Sequence, residues 1–258
     1  MTEYAIRFTK RQRAEHFIVM TTFILLAVTG FPQKFFETGW ARGIVNLIGG
    51  LDHLRFVHRV SGILFSVFTF WHISVSVILS LQRRMKLTML PNRKDFKDAV
   101  QQLRYDLGIV PSQPVFDRFD YRQKFEYWGL VLGGLVMIST GLVLYFPMLV
   151  TRFLPGEMIP MSKVAHSNEG LMAFLVVITW HIYNAHFAPG IFPYDPSIFT
   201  GKISKERLHH EHPLEYARLY PDSTGHDATG GEPPHGEPAP GTETTAPPPQ
   251  ALKAPPKP

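Results

Sequence analysis

Long apolar runs separated by short basic or mixed stretches dominate most of this chain. Their length is that of a bilayer crossing, longer than a strand or an amphipathic surface helix. Four runs, at about residues 17–36, 56–81, 127–150 and 164–187, each reach the roughly 20 residues that a helix needs to cross a hydrocarbon core. The first follows a basic leader of Arg7, Lys10, Arg11 and Arg13, but no small-residue cleavage pattern follows it, so it reads as a span and not as a removable signal. Between the second and third runs, residues 93–107 carry a helical apolar stripe that predicts a surface-lying amphipathic helix. Residues 221–258 are rich in Pro, Gly, Thr, Ala and Glu without apolar period, and they predict a disordered tail. The pattern therefore predicts an all-α, integral-membrane four-helix bundle over residues 1–220, followed by that tail.

Composition sharpens this picture. The chain has 258 residues, 45% of them hydrophobic and 18% charged, with a net charge of +5 and no cysteine. Disulfide frameworks, thiolate metal sites, cysteine-ligated iron–sulfur clusters, cysteine nucleophiles and covalently attached c-type haem are all excluded. Half of the 22 prolines lie beyond residue 220, so a hydropathy averaged over the whole chain understates how apolar the body is. No glycine motif for dinucleotides or phosphates is present, no internal repeat stands out, and nothing points to nucleic acid.

The cations set an expected topology. They crowd the leader, the loop from Arg83 to Lys124 and the segment from Lys202 to Arg218, and are sparse near 37–55 and 151–163. Lys and Arg mark cytoplasmic loops, which predicts both termini on the cytoplasmic side of a bacterial-type inner membrane and explains the modest positive charge.

Ionisable side chains inside a span are costly and point to function. His58 and His72 are 14 positions apart on the second span, and His166 and His181 are 15 apart on the fourth. At about 100° and 1.5 Å per residue, each pair lies near one helix face and about 21–22 Å apart in depth. Two tiers of facing imidazoles, His58 with His166 and His72 with His181, match the axial needs of two b-type haems. Glycines 30, 62, 133, 134, 141 and 170 leave room for a macrocycle or for close helix packing. Arg59 and Arg55 suit haem propionates. His53 and His186 fall about 140° off the ligand faces, and Glu169 is a candidate proton relay or interfacial group. His16, at the inner start of the first span, is a third imidazole at the inner level. His209, His210 and His212 invite a metal reading that a basic post-membrane segment explains more simply.

From about Arg13 to Tyr220 the chain resembles the gamma subunit of membrane-bound formate dehydrogenases, a dihaem cytochrome b that exchanges electrons with quinone. The resemblance rests on the early His16 and the run ending in Thr29-Gly30, on His58-Arg59-Val60-Ser61-Gly62, on Gln123-Lys124 before Trp128, and on His166 through Gly170 leading to His181-Ile182-Tyr183. It extends to Gly201 through Ser204 and His210 through Pro213. It implies an outer haem on His58 and His166, as the spacing does, and an inner haem on His16 and His181. The two routes thus differ at His72, where the family need not have histidine. It further implies a quinone site where the inner loop enters the third span, matching Asp120, Tyr121 and Lys124, with a carboxylate or phenol to take the quinol proton.

The chain holds nothing like a molybdenum, iron–sulfur or flavin site. An electron-transfer subunit with an outer-face redox partner is therefore expected, the partner carrying iron–sulfur or multihaem c-type centres. A haem-free transporter using the same histidines is the alternative, but the repeats and broken helices common in transporters are not apparent.

Overall fold

The computed structural model describes residues 2–84, 86–188 and 191–221. The predicted tail, residues 221–258, lies outside the described residues apart from Pro221. In chain order the elements are β1 (Tyr4–Ile6), α1 (Lys10–Lys34), α2 (Gly39–Leu47), α3 (Leu51–Leu81), α4 (Arg93–Asp106), α5 (Tyr121–Tyr145), α6 (Pro147–Val150) and α7 (Met158–Val176). They continue with α8 (Ser197–Thr200), β2 (Lys202–Ser204), α9 (Lys205–Glu211) and α10 (Pro213–Leu219). Beyond Val176, α7 runs on through two π-helical turns, Val177–His181 and Tyr183–Phe187.

The four expected spans are present as α1, α3, α5 and α7 with its π-helical extension, each long and apolar enough to cross a membrane. They differ from the apolar runs at their ends. Helices α1, α3 and α5 begin five to seven residues earlier, because a helix start is set by its cap and not by the first apolar residue. Thr9 caps α1, accepting from the Gln12 N–H while the Gln12 side chain accepts from the Thr9 N–H. Asp120 caps α5 in the same reciprocal way with Gln123, and Asn92 caps the amphipathic helix α4 with Asp95. The third span stops at Tyr145, short of Val150. Pro147 has no N–H to continue the ladder and disfavours helical geometry at Phe146, which turns out with φ −118° and ψ 53°.

Along the bundle, α1 packs closely on α3 and α5 closely on α7, while α1 meets α7 and α3 meets α5 less extensively. The outward faces are apolar and exposed: Ile24, Val28, Ile63, Val67, Leu132, Met172 and Ile178 all stand clear of the protein interior. Such faces suit lipid, where helix association depends on close packing of small residues. The buried positions within the spans accordingly include Thr22, Thr29, Ser61, Gly134 and Ser162. We call the end carrying β1 and α4 the inner end.

At that end the chain termini of the membrane domain are stitched together. β1 pairs antiparallel with β2, Ala5 opposite Ile203, and these two pack with Leu208 in a small apolar core. Gly201 makes the entry into β2 possible. Its φ is +80°, and an added Cβ would stand 2.8 Å from the Phe8 carbonyl oxygen. The Gly201 carbonyl itself accepts from the N–H groups of Arg7 and Phe8.

Over this core, buried Arg7 donates to Glu215 at 2.8 Å and to Nε2 of His212 at 3.0 Å. Arg118 also donates to Glu215. His212 Nδ1 stands 2.7 Å from the Asp117 carbonyl oxygen. A carbonyl only accepts, so Nδ1 carries the proton and Nε2 is the acceptor for Arg7. Burial, then the adjacent Arg7, holds the His212 pKa below its usual value. The unfolded segment takes up its proton below about pH 6.5, whereas the folded one resists. The stability that neutral His212 lends is therefore complete above that pH and is lost as pH falls towards the depressed folded value. We expect the protection factors of amides in residues 205–219, each taken relative to the intrinsic exchange rate at its pH, to fall from pH 7.5 to 5.5 in wild type, and a His212→Gln variant to lack that fall.

Candidate functional site

Each outer-tier histidine is held by a Thr-Gly pair on the neighbouring helix. Thr29 Oγ1 gives its proton to the Leu25 carbonyl at 2.6 Å and lies 2.9 Å from His58 Nδ1. Thr140 Oγ1 gives its proton to the Val136 carbonyl at 2.6 Å and lies 3.0 Å from His166 Nδ1. With each hydroxyl proton committed, the threonine oxygen must accept, so both rings carry hydrogen on Nδ1 and keep a lone pair on Nε2. The adjacent glycine admits the ring. A Cβ on Gly30 would meet His58 Cε1 at 3.2 Å, and one on Gly141 would meet His166 Cε1 at 3.3 Å.

The two outer rings face each other with centroids 6.2 Å apart. At the inner level it is His16 that faces His181, at 6.1 Å. Two metal–imidazole bonds of about 2 Å, with about 1.1 Å from nitrogen to ring centre on each side, need close to this separation. Both pairs therefore fit an axial role at one metal each. The buried Nδ1 of His16 has no hydrogen-bonding partner among the described residues.

His72 is engaged elsewhere. Its Nδ1 is 3.1 Å from Glu15 Oε2 and its Nε2 is 3.1 Å from the Tyr127 hydroxyl. The spacing rule places His72 on the correct face and depth but does not identify which neighbour meets it. His181 is kept on the inward face by the π-helical turns, whose wider winding absorbs the one extra residue in its 15-position interval. Its Nδ1 is bonded to Glu126.

These contacts expose a correspondence between the two halves of the bundle that composition does not reveal. Glu15 precedes Thr29 by the same 14 positions by which Glu126 precedes Thr140. Glu15 holds His72 and Glu126 holds His181. His16 and Tyr127 follow the two glutamates and face His181 and His72 respectively. The Thr-Gly dipeptide at equal distance from a Glu was the sequence signal available for Thr140 and Glu126.

The remaining predicted residues have distinct settings. Arg59 lies over the Tyr145 ring, 5.4 Å from its centroid. Asp120 caps α5 and accepts from Arg122. Lys124 is buried and donates to both Asp95 oxygens at 2.8 and 3.0 Å, tying α4 to α5. Tyr121 is half-buried beside Phe116 and Arg122. Glu169 packs so tightly on α5 that a Cβ on Gly133 would stand 2.5 Å from its carboxylate. His53 is bonded to the Gly49 carbonyl and His186 to that of Pro193. His209 stacks near Tyr216, and among the described residues no cluster of three or more His, Asp or Glu side chains is disposed to hold a metal ion.

Residues 7–192 match the family described as prokaryotic cytochrome b561. The chain is also similar to the formate dehydrogenase cytochrome b556(fdo) subunit of Escherichia coli strain K12, at 25% identity over 225 residues covering 83% of this chain and 92% of the relative. The proteins of the same name from Escherichia coli O6:H1 and O157:H7 match to the same extent.

Proposed function

Since this chain belongs to the prokaryotic cytochrome b561 family, we propose that it is the dihaem, quinone-reactive subunit of a respiratory oxidoreductase. It is a membrane cytochrome b of a bacterium, and its role is electron transfer. The finer reading has electrons exchanged between the quinone pool and a redox subunit docked on the outer face, which carries iron–sulfur or multihaem c-type centres. Formate dehydrogenase is one such complex, in keeping with the similarity to its cytochrome subunit.

The observation that carries this reading is the pair of imidazole couples at 6.2 and 6.1 Å. His58 with His166, and His16 with His181, are the residues that would hold two haems b. A bound haem supplies reversible one-electron chemistry at iron. The protein's own part is orientation: Thr29 and Thr140 fix the tautomers of the outer couple, and Gly30 and Gly141 admit those rings. Arg59 stands beside His58 as the propionate partner. At the inner end we assign the quinone to the start of α5. There Asp120 and Lys124 hold the helix start and the surface helix α4 in place, leaving the Tyr121 hydroxyl as the group suited to a quinone oxygen. The concentration of Lys and Arg in the inner loops supports a cytoplasmic side for both termini.

The test is a pyridine haemochrome assay on the purified chain, followed by reduction with a soluble quinol analogue. Two haems b per polypeptide, reducible by the quinol, are expected. A colourless protein ends the reading and favours a haem-free transporter.

A further inference from the structure

The two imidazole couples differ in what holds their outer nitrogens. In the outer couple both Nδ1 atoms meet neutral hydroxyls, Thr29 at 2.9 Å and Thr140 at 3.0 Å. In the inner couple the Nδ1 of His181 meets the carboxylate of Glu126, and the Nδ1 of His16 has no hydrogen-bonding partner among the described residues. Glu126 lies on the second turn of α5, and its side chain is three-quarters shielded from solvent.

A carboxylate that accepts the Nδ1 proton of a metal-bound imidazole draws that proton towards itself and makes the opposite nitrogen a stronger donor. A stronger axial donor favours the oxidised, more positive iron. A hydroxyl whose own proton is already given to a backbone carbonyl does this far less, because it brings no charge. We infer that Glu126 is a positioning residue that lowers the reduction potential of the inner site through His181, and that the outer site has no equivalent. The inference rests on the assignment of His16 and His181 as an axial pair.

The opposite half of the bundle indicates that this contact is specific. Glu15, the counterpart of Glu126, holds His72 in the same way, but there the other ring nitrogen is closed by Tyr127. Only in the Glu126 half does the carboxylate-held histidine face a second imidazole.

The experiment is a potentiometric titration of the purified, haem-loaded chain with haem content measured in parallel, comparing wild type with Glu126→Gln, Glu126→Asp and Thr140→Val. Glutamine keeps the size and an accepting oxygen and removes the charge. We expect Glu126→Gln to keep both haems and to shift the ratio of reduced to oxidised inner haem about tenfold towards reduced at a fixed potential, about 59 mV for a one-electron couple. The inner component is identified as the one that His16→Ala removes. Glu126→Asp, which retains the charge, should move it less, and Thr140→Val should leave it in place. An inner component that stays put in Glu126→Gln with both haems bound overturns the inference, as does loss of the inner haem from that variant or a larger shift in Glu126→Asp. Wild-type protein without two haems defeats the proposed function instead.

Discussion

Replacing His16 by alanine should halve the haem content of the purified chain, from the proposed two per polypeptide to one, whereas His72→Ala should keep both. The two histidines are near-equivalent by depth, so the difference rests on their partners. His16 faces His181 at a separation that suits two imidazoles on one metal ion, and its Nδ1 gives up no hydrogen bond to a described residue. His72 has both nitrogens occupied, one by Glu15 and one by Tyr127. To ligate, it would have to abandon a hydrogen bond inside the bundle and leave a buried hydroxyl or carboxylate unmatched, at a cost of about 1–3 kcal/mol per group. Losing His72 removes those bonds as well, so His72→Ala should unfold at a lower temperature than wild type while keeping its colour. A pyridine haemochrome titration on the two variants decides the matter. If His72→Ala loses one haem and His16→Ala loses none, the inner couple assigned here is wrong.

Much of the architecture was legible because the bilayer simplifies the code: a span must be apolar, about 20 residues long and flanked by polar ends. Four such runs led to four helices. The facing of His58 and His166 was legible for a similar reason, since two histidines at one depth on inward faces have few other partners in a four-helix bundle. The inner pairing of His16 with His181 was implied by the family resemblance and not by periodicity, which gives a residue an angle and a height on its own helix but says nothing about which neighbouring helix fills the gap. His16 lies at a helix start, where a histidine is usually interfacial, and His72 looked better placed by arithmetic alone. The π-helical turns at Val177–His181 also defeat a fixed 100° step. Thr140 and Glu126 act by gripping ring nitrogens, a task without a periodic signature. The inner cap was hidden for another reason: Arg7, Arg118 and Glu215 are far apart in sequence, and each reads separately as an ordinary surface charge.

That cap carries the second large effect. Glu215→Ala should detach α9 and α10 from the inner end while leaving the four spans in the membrane. Arg7 is 3% exposed and Glu215 3% exposed. Arg7 and Arg118 both depend on that one carboxylate, and Arg7 is closed in by the rings of Phe8 and Phe119 at 5.5 and 5.3 Å. Removing the carboxylate leaves a buried guanidinium beside a second cation, a situation that costs about 3–5 kcal/mol. The apolar core beneath, Ala5, Ile203 and Leu208, is too small to offset a loss of that size: at about 25 cal/mol per Å2 its three side chains supply only a few kcal/mol. Limited proteolysis of the chain in detergent should therefore cut between residues 202 and 220 in Glu215→Ala under conditions that spare wild type. Haem content should stay at the wild-type value, because none of the four histidines proposed to hold haem belongs to the cap. Removing both charges together as Arg7→Met with Glu215→Leu should restore part of the protection, since an apolar pair of similar size avoids the stranded cation and Arg118 can turn to solvent from its half-buried position. Equal cleavage of Glu215→Ala and wild type would mean that the strand pairing of β1 with β2 holds the cap unaided, and that the buried ion pair only aligns the segment.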